Sequence, residues 1–258
     1  ITSKQSRAGL ILRNPTWRGK RILRMARWNV RGLNGKENEL IEEMIKARVD
    51  ILGITEIKKK GKGVIKIQNH ILLYSGVTET RIASGGVGFL FPETTSAIIK
   101  DWKFVDDRLL VVNLEEDKEH LTIIVAYGPN AIVTEKERFF ENLQKELDDA
   151  KGTPFIMGDL NGRVGDDAEQ WPDVLGKYGE ETKNDNGDRI LNLCATNGMV
   201  VGNSKFPHKK AHRFTREQPT RGERSIINYF LFKRETVREV IDIRVKRGFE
   251  LGSDHYLL

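Results

Sequence analysis

The chain has a single cysteine, Cys194, among 258 residues, which excludes an internal disulfide framework and suits a reducing compartment. No stretch approaches the ~20 consecutive apolar residues of a membrane-spanning helix. The opening segment ITSKQSRAGLILRNP also lacks the long apolar run of a secretory signal. The expectation is a soluble, intracellular protein with no membrane partner. Histidines are few and scattered, five in all, so no Cys/His cluster stands at zinc spacing. The serine-nucleophile elbow G-x-S-x-G and the phosphate loop G-x-x-x-x-G-K-[ST] are both absent.

What is present is basic. Lys and Arg number 43 against 37 Asp and Glu, a formal charge of +6, which leans toward a polyanion partner. Runs such as KKKGKG (58–63) and KRG (246–248) read first as solvated loops, and KKKGKG second as a nuclear-import signal. Residues 1–20 are basic and aperiodic, an extended lead-in to one domain over 21–258.

From Arg21 onward strands and helices alternate. Apolar spacing predicts helices over 36–48, 135–149 and 186–198, the second opened by a Thr134/Glu137 capping box. Segments such as GGVGFLFP, LLVVNLEE, LTIIVAYGP and TPFIMGD read as strands divided by turn residues. The helices are too few to follow nearly every strand. The expected fold class is therefore α/β with two packed, mostly antiparallel sheets flanked by helices, not a doubly wound parallel sheet. Cys194 lies on an apolar helix face, and Trp28 and Met157 read as core packing.

Polar residues gather where the apolar runs stop: Asn29, Glu56, Tyr127 with Asn130, Asp159 with Asn161, Asn203, and Asp254 with His255. Any one of them is an ordinary strand-terminal turn residue. If the strand ends converge, they build a pocket of carboxylate, amide, phenol and imidazole. That inventory suits a phosphate ester and a hard divalent cation, because Mg²⁺ prefers oxygen, takes one or two carboxylates and keeps several waters.

The blocks WNVRGLN, ITEIK, VAYGPN, MGDLNGRVG and GSDHYLL occur in the order seen in the endonuclease/exonuclease/phosphatase superfamily. Within it, the chain resembles the apurinic/apyrimidinic-endonuclease-like domains of RTE (BovB-like) non-LTR retrotransposons, through NGDRILNLCATNGMVVGNS and the strand after it. It is also similar to a host-domesticated copy of such a domain. The resemblance covers residues 21–258 and implies a DNase I-like four-layered α/β sandwich. It implies a Mg²⁺ (or Mn²⁺) site with Glu56 as principal ligand, supported by Asn29 and Asp254. Asp159 would orient or deprotonate water, Asn161 would hold water or a phosphate oxygen, and Tyr127 and His255 would face the scissile phosphate. Arg31, Asn130, Arg163, Asn203 and Arg216 would contact double-stranded DNA, and the cut would leave a 3′-hydroxyl.

The family pattern breaks at RSIINYFL (224–231), where I-D-Y is usual and position 228 is Asn. The family aspartate keeps the histidine of the SDH block aligned and cationic. An amide brings no charge, so His255 should protonate less readily. Arg216 stands where tryptophan is usual, and Ser225 where Asn is usual. Two readings stand: a Mg²⁺-dependent DNA endonuclease slowed by Asn228, or a domesticated, impaired module that binds DNA or host proteins. A phosphatase of small phosphoesters shares the superfamily, but the basic charge and the retrotransposon-type blocks argue against it.

Overall fold

The computed structural model describes residues 9–13, 22–130 and 132–258. Its first strands are β1 (Gly9–Arg13), β2 (Ile22–Asn29), β3 (Ile51–Thr55), β4 (Lys62–Ile67), β5 (His70–Ser75) and β6 (Val87–Pro92). There follow β7 (Ile99–Phe104), β8 (Leu109–Glu116), β9 (Glu119–Tyr127), β10 (Thr153–Asp159), β11 (Met199–Val201), β12 (Arg216–Gln218), β13 (Glu223–Ser225), β14 (Asn228–Lys233) and β15 (Val240–Arg244). The helices are α1 (Glu37–Ala47), α2 (Glu93–Ser96), α3 (Val133–Asp148) and α4 (Asp185–Thr196).

One sheet runs β15-β1-β2-β3-β6-β5-β4 and the other β11-β14-β10-β9-β8-β7. Within them only β2–β3 and β9–β10 are parallel. A parallel pair needs a crossover, and α1 and α3 are those crossovers. Met25, Phe89, Val125, Phe155, Met157 and Phe230 pack between the sheets. Trp28, Met44 and Leu52 share a cluster with α1 outside the first sheet. Phe139, Ile156 and Leu191 share one with α3 and α4 outside the second. The result is a four-layered helix–sheet–sheet–helix sandwich. Gly53 lets the sheets close: a Cβ there would sit 2.5 Å from Met157 Sδ.

Several details depart from the sequence reading. The lead-in expected over 1–20 contains β1, whose Leu10, Ile11 and Leu12 are buried between β2 and β15. A run that short shows no periodicity between its flanks, so its apolar character is missed. Residues 1–8 and 14–20 of that segment lie outside the described residues. The Thr134/Glu137 capping box does not form, because α3 starts earlier at Val133 after an uncapped Ile132. The KKKGKG run is tied down: Lys59 Nζ donates to Glu37 Oε1 at 2.8 Å, and Lys62 opens β4. Helix α4 forms close to its expected bounds, with Asn184 accepting from Gly187 N at its N-terminus. Cys194 is buried in its packing, and burial pushes its thiol up to about 12.

Candidate active site

Side chains alternate across a strand, so each central strand carries one row between the sheets. On β2 that row is Leu23, Met25, Arg27, Asn29; on β9 it is Ile123, Val125, Tyr127; on β10 it is Phe155, Met157, Asp159. Strand β14 runs the other way, with Asn228 opening the row that continues through Phe230 and Phe232. Pairing sets Asp159 beside both Tyr127 and Asn228. Each row is apolar through the sandwich and turns polar at the same end.

These polar ends are buried, with Asn29, Asp159 and Asn228 at 0%, 1% and 0% exposure, so each must find a partner. Asn29 Nδ2 donates to Glu56 Oε1 (2.8 Å) and to Asp159 Oδ2 (2.9 Å), joining two carboxylates. The Tyr127 hydroxyl donates to the same Glu56 oxygen at 2.9 Å. His255 Nδ1 lies 3.5 Å from Asp159 Oδ2. Glu56, Asp159 and His255 therefore share one cleft. Arg31, Glu56 and Asn161 around it all have left-handed backbone, φ 51°, 53° and 48°. The last block is held to β2 by Trp28 Nε1, which donates to His255 O, and by the Ser253 hydroxyl, which donates to Asn29 O. Trp28 is thus more than packing.

Asn228 orients His255. Its amide nitrogen lies 3.3 Å from Thr215 O and 3.1 Å from His255 Nδ1. The Thr215 carbonyl can only accept, so the NH₂ occupies that corner. His255 Nδ1 is thus set between the uncharged Asn228 amide and Asp159 Oδ2. Asn228 Oδ1 is left buried with no partner. Burial lowers the His255 pKa; Asp159 and Asp254 oppose that, and Arg27 and Arg216 reinforce it. Tyr127 is pushed well up by burial and by Glu56 and Asp159, so its phenol stays a donor.

The remaining expected residues divide. Asp254 is engaged by cations: Arg216 Nε donates to Oδ2 at 2.9 Å, and Arg31 Nη1 lies 3.3 Å from Oδ1. Burial works to raise its pKa, but His255, Arg216 and Arg31 hold it below the usual carboxylate range. Asn161 Nδ2 donates to Gly128 O, bracing the loop after β9. Asn130 stands exposed in that loop. Two expected DNA contacts are spent internally. Arg163 pairs with buried Glu180, and Asn203 grips β14 through Asn228 O and Phe230 N. Both sit in polar loop text that hides such internal partners.

Sequence reasoning missed three residues. Thr215 Oγ1 accepts from Ile227 N and Asn228 N. Asn186 Nδ2 donates to Pro129 O and Leu160 O. Arg27 is wholly buried one step below Asn29; its parity with Met25 and Asn29 was the available signal.

The donor chemistry fits a hard divalent cation. Both hydrogen bonds to Glu56 fall on Oε1, which keeps Oε2 for a ligand. No group of three or more His, Cys, Asp or Glu side chains forms a metal cage among the described residues.

Comparison with known proteins agrees with this architecture. The chain is 30% identical over 90% of its length to craniofacial development protein 2 of Bos taurus and likewise to that of Tragulus javanicus. It spans about two-fifths of the length of those curated relatives. The Xenopus laevis APE2 catalytic domain superposes with a TM-score of 0.68 at 18% identity, covering 90% of this chain and 89% of that one. The endonuclease domain of TRAS1, a telomere-specific non-LTR retrotransposon, superposes at 0.66 and 14% identity, covering 91% and 95%. The Endonuclease/Exonuclease/phosphatase family matches residues 28–255, and the chain belongs to that family.

Proposed function

We propose that the cleft is the phosphodiester-cleaving centre of a retrotransposon-type, Mg²⁺-dependent DNA endonuclease, slowed by the amide at 228. The observation that carries this reading is the Asn29 amide held between Glu56 and Asp159, with Tyr127 and His255 on the same carboxylates. Glu56, with Asn29 and Asp254 in support, would hold Mg²⁺ or Mn²⁺. Such an ion, when bound, neutralises phosphate charge and eases departure of the 3′ oxygen.

The chain's own groups do the rest. Asp159, fixed by Asn29 and the Asn161 backbone N–H, takes the proton of an attacking water. The water oxygen bonds to phosphorus as the phosphorus–O3′ bond breaks, and O3′ takes a proton from solvent water, leaving a 3′-hydroxyl and a 5′-phosphate. Tyr127 O–H and the His255 imidazole supply hydrogen bonds to the charge that grows on the phosphate oxygens. The DNA partner is supported by the basic balance and by a structural relative, a Neisseria 3′ phosphatase bound to a product DNA hairpin.

A second reading has one observation in its favour. With an uncharged amide beside His255 Nδ1 and the ring buried, the cationic imidazole is disfavoured, as in a nuclease-like module kept for DNA or host-protein binding. The experiment is nicking of supercoiled plasmid in Mg²⁺ by the wild type and Glu56→Ala. Slow nicking lost in Glu56→Ala supports the enzyme. Equal background from both proteins leaves the binding module.

A further inference from the structure

Arg27 is the anomaly of the inter-sheet core. It stands in the inward row of β2 between Met25 and Asn29, at 0% exposure. Only Nη2 has a partner, the Thr55 hydroxyl at 3.0 Å, while Nε and Nη1 are buried with none. A buried, under-satisfied guanidinium is strongly unfavourable unless a charge offsets it. Burial lowers its pKa to about 10, against the pull of Asp159 and Glu56, so the group is a cation at neutral pH.

The charge pattern around it gives it a task. Asp254 is already met by Arg216 and Arg31. Glu56 and Asp159, joined through Asn29, have no lysine or arginine within ion-pair distance among the described residues. Arg27 shares the row of Asn29 and is bonded to Thr55, the residue before Glu56. Arg216 and Arg31 pair directly with Asp254, whereas the charge of Arg27 acts on Glu56 and Asp159 through space.

We propose that Arg27 is a built-in counter-cation of the Glu56–Asp159 pair, a positioning residue that holds the site assembled without metal and competes electrostatically with the divalent ion. This deepens the metal-site reading above and rests on it. A dication entering a site already neutralised by Arg27 gains less than one entering two bare carboxylates. The fixed charge therefore weakens metal affinity and makes the empty site self-supporting.

Two measurements test this, and they fail separately. The first is a double-mutant cycle of Arg27→Met and Asp159→Asn, read as thermal stability in EDTA. Arg27→Met and Asp159→Asn should each lower the melting temperature, and the pair should lose less than the sum of the two. Additive losses overturn the proposal. Should Arg27→Met not fold alone, the paired variant should recover a folded protein, and its failure to do so overturns the proposal equally. The second is Mn²⁺ affinity by electron paramagnetic resonance. Arg27→Met, or the foldable pair compared with Asp159→Asn alone, should bind Mn²⁺ at least tenfold more tightly, while Arg27→Lys stays near wild type. Unchanged or weaker binding overturns the competition. Absence of Mn²⁺ binding in every protein, with the EDTA coupling intact, instead removes the metal reading.

Discussion

At the scale of single residues, position 228 decides how the histidine works. The amide at 228 brings no charge to His255 Nδ1; an aspartate would accept from Nδ1 and favour the cation. The Asn228→Asp variant should therefore nick supercoiled plasmid faster. An Asp-to-Asn change behind a serine-protease histidine costs ~10⁴ in turnover, a ceiling because tautomer choice matters more there; a gain of roughly tenfold is expected. A restored protein that nicks no faster refutes this account of the site. Linkage sets the pH sense. The folded-state pKa of His255 lies below its ordinary value near 6.5, so the unfolded chain takes up the proton first, and stability falls as pH drops through about 6.5. In Asn228→Asp the His255 titration, followed by its ring Hε1 NMR signal, should move to higher pH and that acid-side loss should shrink.

At the scale of elements, the site depends on how helix and strand ends are tied together. The first turn of α4 carries Asn186, whose NH₂ bridges the loops after β9 and β10 through Pro129 O and Leu160 O. Replacing it by Leu strands two carbonyls; each buried orphan costs roughly 1–3 kcal/mol. The denaturant midpoint of Asn186→Leu should fall with the slope unchanged, whereas a lowered slope would mean a different denatured state instead. Much of this scale was readable in advance. The three long helices follow from apolar spacing, and the polar strand ends announced Asn29, Tyr127 and Asp159. What escaped did so for physical reasons. Strand β1 is too short for a period, and β12–β13 is a polar two-stranded hairpin with no buried face to pattern it. Asn203 and Arg163 read as DNA contacts, and their internal partners, β14 and Glu180, went unread because they are remote in sequence.

At the scale of the whole molecule, a charge of +6 sets an electrostatic rule for binding, but the cations are not equivalent. Arg31 is half exposed, Arg216 and Arg163 each about a third, and Arg163 is paired with the buried Glu180. Duplex affinity in EDTA should fall steeply with salt, because each phosphate contact contributes about −0.9 to the slope of log K against log salt. Contacts to roughly three phosphates would weaken binding about forty-fold between about 50 mM and about 200 mM salt. Arg31→Gln should flatten that slope by about one, while Arg163→Gln should leave it unchanged and lower thermal stability, since it leaves Glu180 buried without its cation. Fluorescence anisotropy with a labelled duplex measures both slopes. A salt-insensitive wild type removes DNA as the partner, and a flattened slope in Arg163→Gln alone moves the DNA path to the Glu180 side of the molecule.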